Sequence, residues 1–234
     1  MAVLRNVVLG DGRTLSITDW GDYPLWSRGQ MAALQAAEVP LFQYIQGQAV
    51  PGGTVAAGGT DIDTNMPGPG SLPLGNQMLV YSIQVIFDEV DSDQAGKLVQ
   101  CDTVPEGIAK WNTIVSNTLL QFRVEQSKAY AEGLVTHFPA GGGVYMTKTE
   151  QIYSSASGQT PSPVPDLWSA YIVQNGFPTW EAARRLALPI HIGALESFRA
   201  VLRFPRGALT APESPDKEWG MTVRLTGPRQ RPVG

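Results

Sequence analysis

Cysteine is almost missing from this chain: Cys101 is the only one in 234 residues. That excludes an intramolecular disulfide framework and any zinc site built on a cysteine cluster, so neither kind of staple supplies its stability. Histidine is nearly as scarce, and the two present, His137 and His191, lie neither at metal-ligand spacing nor beside a nucleophile motif. Charged residues make up 16% of the chain with a net charge of −4, which leaves no basic field to hold a nucleic-acid backbone. Sequence-specific nucleic-acid binding is therefore not expected. No apolar run reaches the roughly 18 residues that a membrane helix needs. The opening MAVLRNVVLGDG also lacks a basic stretch followed by an apolar signal segment, so synthesis as a soluble cytoplasmic product is expected.

What the chain does have is a large apolar fraction, 43%, and 25 glycines and 18 prolines spread without a period. The first permits a substantial core and the second implies many turns between short elements, a combination that favours all-β structure. The central stretch is Gly75 to Asp88, GNQMLVYSIQVIFD, the longest strand pattern in the chain. Leu79, Tyr81, Ile83, Val85 and Phe87 form a wholly apolar face, while Met78, Val80, Ser82, Gln84 and Ile86 form a mixed one. Period-two alternation recurs at 41 to 49, 117 to 126, 197 to 204 and 219 to 226, and further strand-like runs lie at 129 to 138 and 144 to 153. Val3 to Leu9 and Arg13 to Thr18, around Gly10-Asp11-Gly12, read as an opening hairpin.

Helices are expected over Ser27 to Val39, ended by Pro40, over Pro105 to Val115, and over Thr179 to Leu188, ended by Pro189. Residues 51 to 75 and Ser154 to Pro165 are Gly/Pro-rich or low-complexity loops, and Gly141 to Gly143 mark a hairpin tip. Asp19 to Trp26, broken by glycine and proline, reads as an aromatic arm or loop, and Gly227 to Gly234 as a basic extended tail. The domain plan is thus an N-terminal hairpin, arm and short helix over 1–40, a β-sandwich core over 41–226, and a tail over 227–234.

Chemistry is harder to find. Asp61, Asp63 and Asn65 have the alternate-residue oxygen spacing of a calcium loop, but Met66 stands where glycine belongs and no bidentate glutamate follows. The acidic pairs at Asp88/Glu89 and Asp91/Asp93 fall in a charged turn rather than an aromatic cleft. No catalytic, metal or cofactor-binding residue is assigned, no cofactor is expected, and the chain does not read as an enzyme.

The strands from LFQYIQGQA through GNQMLVYSIQVIFD to WGMTVRLTG, with long Gly/Pro loops and terminal arms, resemble the jelly-roll capsid proteins of tailless icosahedral phages and related viruses. The resemblance is architectural and carries no sequence motif. It implies an all-β fold, a single jelly roll or related antiparallel β-sandwich with short helices. It also implies a structural virion protein that self-assembles into an icosahedral shell. Partners would be copies of itself, other virion proteins and, where the shell encloses one, an internal membrane. Trp20, Tyr23, Trp26, Arg229 and Arg231 are the expected subunit contacts, since terminal segments leave a compact β core most easily. The rival reading is a carbohydrate-binding or adhesive β-sandwich of a phage fibre or spike, in which the same rings stack on sugars.

Overall fold

A computed structural model describes residues 6–8, 12, 14–16, 20–31, 38–51, 59–91, 116–125, 128–140, 183–206 and 217–230. Its strands are β1 (Asn6–Val8), β2 (Thr14–Ser16), β3 (Trp20–Asp22), β4 (Leu25–Met31), β5 (Glu38–Leu41), β6 (Gln77–Asp91), β7 (Leu119–Val124), β8 (Lys128–Leu134), β9 (Arg185–Ile192), β10 (Phe198–Arg203), β11 (Lys217–Thr226) and β12 (Pro228–Gln230). The expectations for 105–115, 141–143, 144–153 and 154–165 fall outside the described residues.

β6, the stretch with the longest alternation, is paired along both edges. One edge meets β11 from Ser82 to Asp91 and β12 at Gln77 and Met78; the other meets β9. Between Thr226↔Ser82 and Arg229↔Met78 the β11–β12 path advances three residues while β6 advances four. β6 therefore holds one extra residue, a β-bulge, and its inward face changes parity there. Met78 and Val80 face the core before the bulge, and Ile83 and Val85 after it. The two faces read from alternation do not run the length of the strand for that reason. Gly227 sits opposite the bulge with φ +152°, so close that an added Cβ would fall 2.0 Å from the Leu79 carbonyl oxygen.

β3 and β4 continue the layer beyond β12 and β11, giving one sheet with the main order β4-β11-β6-β9 and a second with the order β5-β10-β7-β8. All these pairings are antiparallel. Among the eight strands β4 to β11 the first pairs the last, the second the seventh, the third the sixth and the fourth the fifth. This nested order is that of a jelly roll, a long antiparallel ribbon wrapped into two facing sheets. β1 and β2 form a separate hairpin, as the Gly-Asp-Gly turn implies.

The space between the sheets is filled by one apolar cluster that includes Leu25, Leu41, Met78, Ile83, Leu120, Ile192, Leu202 and Val223. Phe198 lies at its centre, tilted against Phe42 at 5.6 Å and Phe122 at 6.2 Å between ring centroids. Close approach of the sheets needs a missing side chain at Gly29, where a Cβ would meet Val39 at 2.7 Å and Leu41 at 3.0 Å. Phe42 holds φ +67°, fixed by Ser27 Oγ accepting its N–H and by Gly70 N donating to its carbonyl. A bulky residue keeps such a conformation only where its surroundings determine it.

Several local expectations are corrected. Where it is described, Ser27 to Val39 is not helical: residues 38–39 belong to β5, and residues 25–31 form β4, whose inward positions include Ser27 and Gly29. These side chains are small, so the period of two carries no apolar signal. The strand expected over 41–49 ends at Leu41, where Phe42 turns the chain, and Tyr44 is buried from a loop. Arg185 to Ile192 is a strand rather than the end of a helix, and it tolerates Pro189 because among the described residues β9 pairs on one side alone, with β6, and its other side needs no ladder donor. The sandwich also draws in residues on both sides of 41–226: β3, β4 and β5 come from 20–41, and β12 from the tail.

Replacing Gly227 by Ala should lower unfolding stability by more than about 2 kcal/mol, because the new methyl group meets backbone that cannot yield. Urea titration checks this; an unchanged midpoint would show that the bulge does not need glycine.

Candidate subunit-contact surface

The aromatic segment and the basic tail, expected as separate arms, are neighbouring strands. β3 runs antiparallel to β12 with Trp20 opposite Gln230, Gly21 opposite Arg229 and Asp22 opposite Pro228. Tyr23 lies against Gly21, where an added Cβ would fall 2.5 Å from ring atom Cε2. Tyr23 is 42% exposed, whereas Arg229 is only 3% exposed and belongs to the folded body rather than to a solvated tail. Trp20 and Trp26 are both half-buried. Trp26 is set apart from this pair on β4, beyond the break at Pro24, with its indole N–H donating to the Asp61 carbonyl at 3.0 Å. Arg231 lies outside the described residues.

Asp61 belongs to a strap that closes the outer edge of β4. Arg28 N donates to Asp63 O at 2.8 Å, Asn65 N to Trp26 O at 3.4 Å, and Gln30 N to Pro51 O at 3.0 Å. Of the calcium-like side chains, Asp63 and Asn65 are engaged within this strap. Asp63 Oδ2 accepts from Thr60 N and Thr60 Oγ1, Asp63 Oδ1 lies 3.9 Å from Arg28 Nε, and Asn65 Oδ1 accepts from Trp26 N. Among the described residues no three His, Cys, Asp or Glu side chains are grouped to hold a metal.

Tyr44 locks strap to strand from inside. Its hydroxyl accepts from Arg28 N at 3.2 Å, and its proton faces the carbonyl oxygens of Arg28 at 2.6 Å and Asp63 at 3.1 Å. Burial pushes this hydroxyl from an ordinary value of 10.0 up to about 12, offset in part by the bond to the Arg28 backbone.

Among the described residues, with β4 covered and with Pro40 and Pro189 placed in the edge strands β5 and β9, three of the four edges of the two main sheets are blunted against strand addition. Large aliphatic side chains nevertheless stand exposed at two adjoining turns. Asn76 N donates to Pro73 O across a turn with Gly75 at φ +80°, which leaves Leu74 at the tip and 76% exposed. Glu196 N donates to Gly193 O across the other, whose tip residue Leu195 is 64% exposed with φ +61°. The turns are tied together by Leu195 N donating to Leu72 O at 2.9 Å and by the Leu72↔Ala194 bridge. A left-handed conformation costs a residue with a Cβ about 1–2 kcal/mol, and this position would ordinarily hold glycine or asparagine.

Sequence reasoning does not single out these leucines. The available signals are Leu followed by Gly in PLGN and the absence of glycine from the third position of the turn in GALE. His191 is exposed on β9 with Nε2 3.2 Å from Gln77 Oε1, His137 ends a short 3-10 turn, and Cys101 lies outside the described residues. No protein-family model, no curated protein and no solved structure matches this chain.

Tyr44→Phe should cost about 1–3 kcal/mol by leaving buried backbone groups without a partner. The raised hydroxyl gives a second signature. Below pH 10 the tyrosine is neutral whether the chain is folded or unfolded, and its contribution is fully present. Between pH 10 and about 12 the unfolded chain ionises first, so stability falls with rising pH. Denaturation midpoints measured from pH 8 to 12 should fall more steeply above 10 for the wild type than for Tyr44→Phe; parallel curves would contradict this role.

Proposed function

We propose that this chain is a structural virion protein, a capsid subunit that self-assembles with copies of itself into an icosahedral shell. The observation that carries the reading is the pair of tied turns bearing exposed Leu74 and Leu195, the second held in a conformation unfavourable to it. Two large aliphatic tips tied next to each other, one of them on a strained backbone, are a feature that an interface puts to use. The protected sheet edges fit the same reading. Copies would pack through turns and faces, not by the open-ended strand addition that yields fibres. The jelly-roll order supports it as architecture, since that wedge of two sheets is used in shells, although lectin-like domains use it as well.

The pairing of β3 with β12 changes what the terminal segments contribute. Arg229 is buried in its own subunit, so within this pair the contact passes to the exposed Tyr23 ring.

The test is sedimentation of the purified chain beside a Leu74→Asp, Leu195→Asn variant, with circular dichroism as a check on the fold. Asparagine tolerates the left-handed conformation, so the turn should survive. Burying each leucine contributes about 1.5–3 kcal/mol, and losing both should raise the concentration needed for assembly about a hundredfold or more. Equal assembly by variant and wild type would remove these turns from the interface.

A further inference from the structure

Two separate parts of the described surface are complementary in charge, and each carries exposed apolar side chains. The first adjoins the leucine tips. The turn that holds Leu195 leads into β10, with Ser197 bridged to Ser71 and its carbonyl accepting Glu125 N at 2.6 Å. Register then sets Arg199 directly opposite Arg123 of β7. Ala200 and Phe122 face the core, so both arginines stand on the outward face. Like charges directly opposite each other on a sheet are destabilising. The carboxylates of this face are engaged elsewhere: Glu38 with Arg203 at 2.7 Å, and Glu132 with Gln121 Nε2 at 2.6 Å. Gln121 Oε1 in turn holds Arg123 by accepting from Nη2 at 2.9 Å. Arg199 is exposed, and among the described residues no carboxylate pairs with it.

The second part is the strap outside β4 together with the end of β3. Ile62 is 66% exposed on the strap, beside Asp61, whose main-chain carbonyl holds the Trp26 indole while its exposed carboxylate makes no ion pair among the described residues. Asp22, also exposed, ends β3 just before Tyr23 and Pro24, and Asn65 Nδ2 ties the Pro24 carbonyl to the strap at 2.7 Å. The corner is therefore apolar and acidic where the turns are apolar and basic.

We infer that these two parts meet between neighbouring copies of the chain, the leucine tips and Arg199 of one against Ile62, Asp61 and Asp22 of the next. The contact rests on the subunit reading and names the surface that the tips would meet. Complementary potentials select a partner and fix its register. A two-fold contact made by either patch alone would bring like charges together, so the pairing is head to tail, the kind that closes rings where the rotation permits. Every cation whose side chain is described is an arginine, the cation enriched at interfaces where lysine is depleted.

Sedimentation of the full chain beside charge-reversed variants tests this. Arg199→Glu and Asp61→Arg should each raise the concentration needed for assembly about tenfold or more. Joined in one chain, the two reversals should assemble better than either alone, since the new charges attract each other across the contact. Arg199→Gln and Asp61→Asn should act in the same direction with smaller effect, and circular dichroism should show the fold intact throughout. If the wild type assembles and the reversals assemble equally well, or if their losses simply add, this pairing is overturned and the subunit reading stands. Uptake of inorganic phosphate by a wild type whose reversals assemble normally would give Arg199 to a small anion instead. A wild-type chain that stays monomeric at every concentration would overturn both the pairing and the subunit reading.

Discussion

Everything in this fold is hung on a double-sided strand that contains one residue too many. β6 carries partners along both edges, and its extra residue near Leu79 to Tyr81 swaps the faces of the strand. Without that swap the alternation reaching Ile83 and Val85 would turn Met78 and Val80 away from the core, since a slip of one residue reverses every later side chain. The compensating piece is Gly227, which bends the β11–β12 path and brings its backbone against Leu79. Together they let one sheet curve at its end while Ile190 and Ile192 of β9 still close the same core.

A second constraint is how the sheet edges end. A sandwich of this kind has four outer edges, and an open one is a template for uncontrolled pairing. Here the 59–66 strap occupies the edge of β4 through backbone bonds, and Tyr44 fastens it from beneath. Edge closure also explains Asp63 and Asn65, whose side-chain oxygens receive the donors of Thr60 and Trp26 that a tight strap leaves over, while Asp61 contributes only its main-chain carbonyl. Closed edges beside exposed Leu74 and Leu195 would, for the proposed subunit, set the terms on which two copies meet.

Legibility in the sequence followed the chemistry of the inward positions. β6, β7, β10 and β11 could be read because their inward residues are large and apolar, such as Leu120, Phe122 and Val124 on β7. β4 could not, because Ser27 and Gly29 occupy its inward side and the alanines after it mimic a helix. β9 combines an arginine-leucine-alanine run with a proline, and only its place at a sheet edge reconciles these with a strand. The segment holding Trp20 and Tyr23 and the tail with Arg229 each look like loose extensions in isolation; their pairing is a tertiary fact that neither segment encodes alone. Exposure of Leu74 and Leu195 depends likewise on how two distant turns are tied, which no local pattern reports.

A shell subunit must meet one demand that no monomeric binding module meets: copies must close on themselves with definite geometry. Electron microscopy of the purified full chain, concentrated without other proteins, addresses this directly. Closed particles of uniform diameter are the predicted result. A field of single molecules at every concentration, with the jelly-roll fold intact, would contradict the subunit reading.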